Sequence, residues 1–262
     1  MGVPVQIRPS RKLGQNFLID QRIASTVVSV AELDTSDTVL EPGAGYGTLT
    51  RLLENRAGRV VAVEKDHRLA AHLRKEFESN PSVLIIEGDV LRVRLPAFNK
   101  IVGTPPYTVS SKLILLLAKS KFDLASLVFQ KEFGERLLAK PGTSDYGRLS
   151  ITAQRSLTIQ QITDISAGSF RPRPKVDSVL LRLTPRRSSS NLDEKPFEVL
   201  VRGLFNQRRR LVRSSLLRLL SKEHGRDQAL AILEKLSVPE KRVYELTLDD
   251  LEILCRQLLA DL

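Results

Sequence analysis

Val39-Leu40-Glu41-Pro42-Gly43-Ala44-Gly45-Tyr46-Gly47-Thr48 is the stretch on which the fold depends. An apolar run ends at Leu40, three glycines alternate with other residues, and Leu49, Leu52 and Leu53 then resume helical spacing. The pattern predicts a strand over Thr38–Glu41, a tight turn, and a helix that reaches Asn55 and stops at Gly58. Glycine suits such a turn because the backbone takes φ values that a Cβ resists and comes close to whatever lies above it. The helix start beyond it presents free N–H groups to an electron-rich ligand. A glycine-rich turn by itself is equally an ordinary tight turn, so residues further along must decide.

Those residues follow in order. Val60-Val61-Ala62-Val63 is a continuous apolar run of the kind that parallel strands show when both faces are buried. It ends at Glu64, about 20 residues beyond the glycines, where an acid can accept hydrogen bonds from two ribose hydroxyls. A helix from Arg68 to Phe77 leads to a strand at Val83–Ile86 and then to Glu87-Gly88-Asp89-Val90. Asp89 thereby falls at the carboxyl end of a third strand, where ligands of open α/β sheets sit, and its carboxylate can accept from an adenine amino group. Ile101-Val102 forms a fourth strand that runs into Gly103-Thr104-Pro105-Pro106-Tyr107. Two prolines stiffen that turn, and Tyr107 offers a flat face to the same crevice. The coincidence of loop, spacing and strand ends points to an α/β domain that binds a nucleoside.

On the N-terminal side, residues 1–12 are polar and basic with Pro4 and Pro9, which predicts a flexible arm. Asp20 is placed to cap a helix carrying Ile23, Ala24, Val27, Val28 and Ala31. On the C-terminal side come a helix at Ser111–Lys119, a strand at Ala125–Gln130, a helix at Glu132–Ala139 and a turn over Lys140–Arg148. Two late strands, Thr158–Ile165 and Ser178–Leu183, flank a proline-stiffened basic loop, Phe170 to Ser178. Thr184–Asn191 has linker composition, and Pro196–Leu262 shows helical periodicity without strand alternation. The expected organisation is an α/β domain over 1–187 and a small all-α domain over 188–262.

The 262 residues carry a formal charge of +11, clustered rather than spread. Arg8, Arg11 and Lys12 form one group, Arg171, Arg173 and Lys175 a second, and Arg208, Arg209, Arg210 and Arg213 a third. Clusters of this kind supply sequence-independent affinity for a polyanion such as RNA. The single cysteine, Cys255, excludes an internal disulfide framework and agrees with a reducing cytoplasm. Cys255, His67, His72 and His224 show no metal-ligand spacing, so no metal is expected. No apolar run approaches the length of a membrane span, and the first twenty residues are too polar for a signal peptide.

The loop spacing E-x-G-x-G-x-G resembles the S-adenosylmethionine loop of Rossmann-like methyltransferases. More widely, the chain resembles the small-subunit ribosomal RNA adenine N6-dimethyltransferase family (KsgA type). The matching pieces are Gly14-Gln15-Asn16-Phe17-Leu18, Glu41 to Gly47, Glu64, Gly88-Asp89, Pro106 to Ser111, Gln130-Lys131-Glu132, Asp145 to Ser150, Phe170 to Ser178, and Phe205 to Arg210. The resemblance implies a Rossmann-like S-adenosylmethionine-dependent methyltransferase domain with a helical C-terminal, rRNA-binding domain. It implies transfer of methyl groups to two adjacent adenosines near the 3′ end of small-subunit rRNA during ribosome biogenesis. It puts Asn16 and Leu18 at the methionine end of the cofactor, Gly43 and Gly45 in the loop, Glu64 at the ribose, and Asp89 and Val90 at the adenine. Tyr107 and Phe170 would hold the flipped target base by stacking. Arg171, Arg173, Lys175, Arg208, Arg209 and Arg210 would contact RNA. The partner implied is an immature small subunit, met by a monomer in the cytoplasm.

One position departs from the family pattern. The family's catalytic loop reads Asn-Leu/Ile-Pro-Tyr, and here it reads Thr104-Pro105-Pro106-Tyr107. The N6 lone pair of adenine is delocalised into the ring, so acceptors for its two N–H groups are needed to localise that pair. The carbonyl of Pro106 would be one acceptor. The Thr104 hydroxyl, which also lies at the cofactor, can be the other but has a shorter reach than an amide. Three expectations stay open: the backbone compensates, transfer is slow, or the chain is an assembly factor that binds rRNA without methylating it. DNA or large-subunit rRNA is the alternative substrate, and the Gln207–Arg210 cluster argues against it.

Overall fold

The computed structural model describes residues 7–10, 13–186 and 192–261. Most of the basic arm, with Arg11 and Lys12, and residues 187–191 of the expected linker lie outside the described residues.

The chain begins with a two-residue strand, β1 (Phe17–Leu18), and helix α1 (Gln21–Ser29). Asp20 caps α1, its carboxylate accepting the N–H groups of Arg22 and Ile23 at 2.9 and 3.3 Å. The α1 face carrying Ala24, Val27 and Val28 is buried, as the apolar spacing predicts. Next come β2 (Thr38–Pro42), α2 (Thr50–Leu53), β3 (Arg59–Glu64), α3 (His67–Glu76) and β4 (Val83–Glu87). They are followed by β5 (Lys100–Gly103), α4 (Ser110–Leu117), β6 (Leu124–Gln130) and α5 (Lys131–Leu138). The next elements are α6 (Arg148–Ser156), β7 (Leu157–Ile165), β8 (Phe170–Arg171) and β9 (Ser178–Pro185).

Seven strands form one sheet in the order β4-β3-β2-β5-β6-β9-β7. The first five are parallel, while β9 lies antiparallel between β6 and β7. Parallel strands must be covered on both faces, and Val60 to Val63 of β3 are indeed all buried. The order of strands reverses at β2, which pairs with β3 on one side and β5 on the other. Loops leaving the carboxyl ends of β2 and β5 diverge there, which opens a crevice. The glycine loop leaves β2, and Thr104–Tyr107 leaves β5.

Three local differences from the sequence expectation have physical causes. The helix after the glycines is only Thr50–Leu53, because residues 45–49 stay in turns. Helix α6 appears where a turn runs straight toward a strand in the sequence reading; its buried residues, Ser150, Ile151 and Ala153, show no clean helical period. β1 and β8 pair antiparallel, Phe17 with Arg171 and Leu18 with Phe170. Two-residue strands have no periodicity to read.

The chain divides into two compact units. The first runs to Gly134 and resumes over Leu157–Pro185; the second comprises Glu135–Ser156 and Arg186–Leu262. The expected cut between residues 187 and 188 therefore misses Glu135–Ser156. Tyr146 and Ile151 belong to the buried cluster of Phe197, Leu204, Leu216 and Leu254, so this excursion packs with the C-terminal helices. Those helices are α7 (Glu194–Phe205), α8 (Val212–His224), α9 (Arg226–Lys235) and α10 (Leu248–Asp261).

Candidate active site

The glycine loop is fixed from below by two acids. Glu64 ends β3, and its carboxylate accepts the N–H of Gly45 and the N–H of Asp66, both at 2.8 Å. Gly45 holds φ +59°, and a Cβ there would lie 2.9 Å from Cδ1 of Phe17. A side chain is thus excluded twice, by conformation and by space. Glu41 ends β2 with 1% of its surface exposed, and Oε2 accepts the Thr50 hydroxyl at 2.6 Å. Burial pushes its carboxyl up to about 8, against the hydrogen bond from Thr50 and with the nearby Glu64 adding to the rise. Burial also raises Glu64, opposed by the N–H groups it accepts.

The N-terminal segment closes one side of this crevice. Gln15 accepts the N–H of Ser10 at 2.6 Å and donates to Asp66 at 3.1 Å. Tyr46 donates its hydroxyl to the carbonyl of Ile7 at 2.5 Å, and its ring meets Phe17 edge-on at 4.7 Å. Arg68 donates to Asp66 at 2.6 Å and holds that carboxyl well below the usual carboxylate range. The segment therefore sits on fixed charges and hydrogen bonds.

A cavity opens between these parts. Asn16, Leu18, Gly43, Gly45, Glu64 and Thr104 all line it, so six expected cofactor residues from four separate stretches meet there. Gln15, Phe17, Glu41, Lys65 and Thr108 line it too. Of these, Glu41 carries a visible signal, the acid two residues before the first glycine, whereas Gln15 and Thr108 lie within stretches that match the family without being singled out for a role. Asp89 and Val90 do not line the cavity. Asp89 accepts the N–H of Leu91 and the ammonium of Lys65, each at 3.1 Å, and chiefly the Leu91 N–H holds its carboxyl below the ordinary value.

A second, smaller cavity is lined by Gly14, Asn16, Thr104, Pro105, Pro106, Tyr107, Val128 and Phe170. Tyr107 and Phe170, 63 residues apart in the chain, thus share one wall. The Tyr107 hydroxyl lies 2.7 Å from the Ser178 hydroxyl, and Phe170 is 3% exposed. Both rings are therefore held in place.

The basic residues divide into two kinds. Arg171, Arg173 and Lys175 are exposed, and their side chains make no ion pair among the described residues. Arg208 donates to the carbonyls of Ser144 and Thr143 at 2.8 and 3.0 Å and lies 5.7 Å from the centre of the Tyr244 ring. It clamps the loop before α6, whereas Arg209 and Arg210 are exposed. Among the described residues no cluster of three or more His, Cys, Asp or Glu could hold a metal, and no helix is long and apolar enough to cross a membrane.

Comparison with known proteins yields a consistent set. Residues 7–254 match the family model described as ribosomal RNA adenine dimethylase. A probable ribosomal RNA small subunit methyltransferase A of Thermococcus kodakarensis is 41% identical over 249 residues, covering 93% of this chain and 88% of the relative. The protein of the same description from Methanopyrus kandleri is 37% identical over 255 residues, covering 92% and 91%. Among solved structures, a dimethyladenosine transferase from Plasmodium falciparum superposes with a TM-score of 0.85 at 29% identity, covering 94% and 98%. The 23S rRNA methyltransferase ErmE superposes with a TM-score of 0.68 at 28% identity, covering 93% and 99%.

Proposed function

The chain belongs to the ribosomal RNA adenine dimethylase family, with a Rossmann-like methyltransferase fold and a helical C-terminal part, and on that premise we propose that it methylates N6 of two adjacent adenosines near the 3′ end of small-subunit rRNA. The methyl donor is S-adenosylmethionine. The observation that carries the reading is the pair of adjoining cavities, which have Asn16, Thr104 and Pro106 in common.

The residues fit the donor. A Cβ on Gly43 would lie 3.0 Å from Cδ of Pro106, so the bare residue lets the glycine loop and the loop after β5 lie this close on the cavity wall. Glu64, buried at a strand end, has lone pairs left for ribose hydroxyls after taking two N–H groups. When bound, the cofactor supplies a sulfonium methyl with an excellent leaving group, so no strong base is needed. The chain's part is positioning. Tyr107 and Phe170 hold the extruded base in the smaller cavity, and the Pro106 carbonyl and Thr104 hydroxyl accept the two amine N–H groups.

The exposed Arg171, Arg173, Lys175, Arg209 and Arg210 support RNA binding. The same reading takes the partner to be an immature small subunit, approached by a monomer in the cytoplasm. Thr104 favours one rival, an assembly factor that binds the particle without transfer. Incubation with methyl-labelled cofactor and undermethylated small subunits, with large subunits offered in parallel, separates these readings. Label in N6-dimethyladenosine of the small-subunit rRNA is expected. Stable binding without label would establish the rival, and label in large-subunit rRNA would overturn the substrate assignment.

A further inference from the structure

The geometry points to Asn16 as a catalytic residue in its own right, and we infer that its side-chain oxygen accepts an N–H of the target amine, supplying an acceptor that the loop after β5 provides only weakly. The inference rests on the methyl-transfer reading above and deepens it.

A methyl donor in one cavity and an amine in the other can react only where the two cavities adjoin. Asn16, Thr104 and Pro106 line both, so they bound that junction. Their chemistry differs. Pro106 offers a backbone carbonyl, which already accepts the N–H of Val109 at 3.0 Å. Thr104 offers a short hydroxyl. Asn16 alone among the three brings a side-chain amide.

The orientation of that amide follows from its partner. The Gly14 carbonyl lies 3.3 Å from the Asn16 side chain and can only accept, so the atom facing it must be Nδ2. Gly14 is held at φ +65°, where its own Cβ would approach Cγ2 of Thr108 to 3.3 Å. With Nδ2 committed there, Oδ1 is the end left without a hydrogen-bond partner among the described residues. The strand that follows keeps Asn16 in register with the base cavity, since Leu18 pairs with Phe170 across the β1–β8 ladder.

Two acceptors are what the chemistry asks for. The amine nitrogen forms a C–N bond to the methyl carbon as the S–CH3 bond breaks, its electron pair staying on sulfur. One amine proton then leaves to solvent. Before that, both N–H groups must be drawn out of conjugation so that the lone pair points at the methyl. The resemblance assigns Asn16 to the methionine end of the cofactor, and a carboxamide at the junction can serve both sides.

The test compares wild type, Asn16→Ala, Thr104→Asn and the double variant in single-turnover transfer to undermethylated small subunits. Calorimetry with S-adenosylhomocysteine sets the saturating concentration for each, and melting confirms folding. Asn16→Ala is expected to lower the saturated rate about tenfold, the equivalent of one hydrogen bond. Thr104→Asn added to it should restore most of that loss, because a second amide then reaches the same amine. A saturated rate within twofold of wild type, with only cofactor affinity weakened, would overturn the inference. So would a loss that Thr104→Asn does not rescue. If Asn16→Ala does not fold, Asn16→Ser is measured with the same expectation. Transfer absent from wild type overturns the underlying reading and the inference with it, whereas normal transfer with an unimpaired Asn16→Ala overturns the inference alone.

Discussion

Replacing Glu64 by Gln tests the centre of the cofactor cavity with the smallest change of shape. In the native protein one carboxylate serves two backbone donors, the N–H groups of Gly45 and Asp66, at 2.8 Å each. Glutamine has one oxygen and one NH2, so at one of the two positions a donor must face a donor. The hydrogen bond lost there is charge-assisted and worth about 1.5–3 kcal/mol. An opposing effect reduces the net change. Burial raises the Glu64 carboxyl, so the charged form carries a desolvation cost that the amide lacks. The net destabilisation expected is about 1–2 kcal/mol, or roughly 2–8 °C in Tm for a chain of this size. Cofactor affinity should fall further, because ribose hydroxyls depend on the same two atoms. About 1–3 kcal/mol, roughly 5–150-fold in Kd, is expected. Calorimetry with S-adenosylhomocysteine measures the affinity, and a thermal melt measures the fold. Glu64→Ala, which removes both acceptors, should be weaker still. Unchanged affinity in a folded Glu64→Gln protein would refute the placement of the ribose at this acid.

Gly45→Ala should cost about 1–2 kcal/mol of stability through its left-handed φ, with a further loss of cofactor affinity because its Cβ displaces Phe17. Gly142→Ala is the control: φ is +88° but nothing lies within 4 Å, so denaturation of both variants isolates the Phe17 clash. Glu41, raised by burial from 4.5 to about 8, contributes stability that is fully present below about 4.5 and is lost as pH rises through about 8. Denaturant midpoints between pH 5 and 8.5 should therefore decline in wild type and stay flatter in Glu41→Gln; parallel curves would show that Glu41 is ionised throughout. Arg208→Ala should lower the stability of the helical unit by about 0.5–1.5 kcal/mol, since it removes the solvent-exposed hydrogen bonds to the carbonyls of Thr143 and Ser144. Arg209→Ala should leave the melt unchanged and instead lower the salt slope of RNA binding by about one, and an unaltered slope would move the RNA contact elsewhere.

How far the amino-acid sequence determines this protein depends on the range over which each feature acts. Local signals sufficed for the parallel strands. Val60 to Val63 had to be buried on both faces, and Asp20 had to end a helix, because apolar runs and caps act within a few residues. The same holds for the crevice: the glycines, Glu64 and Thr104 follow strand ends, and strand ends of a parallel sheet lie on one side. Other features required the tertiary structure. Phe170 reaches the wall shared with Tyr107 only through β1–β8 pairing, two residues on each strand, which no periodicity announces. Arg208 and Arg209 are neighbours of identical composition, yet one clamps a loop and the other faces solvent. Glu135–Ser156 joins the helices because its apolar side chains find Phe197 and Leu204, partners some 50 residues further along. Asp89 sits at the expected strand end, but Lys65 and the Leu91 N–H take its oxygens, and it stays off the cavity wall. Composition and spacing place a residue on an element; which neighbours compete for its polar atoms is decided by contacts between segments distant in the chain.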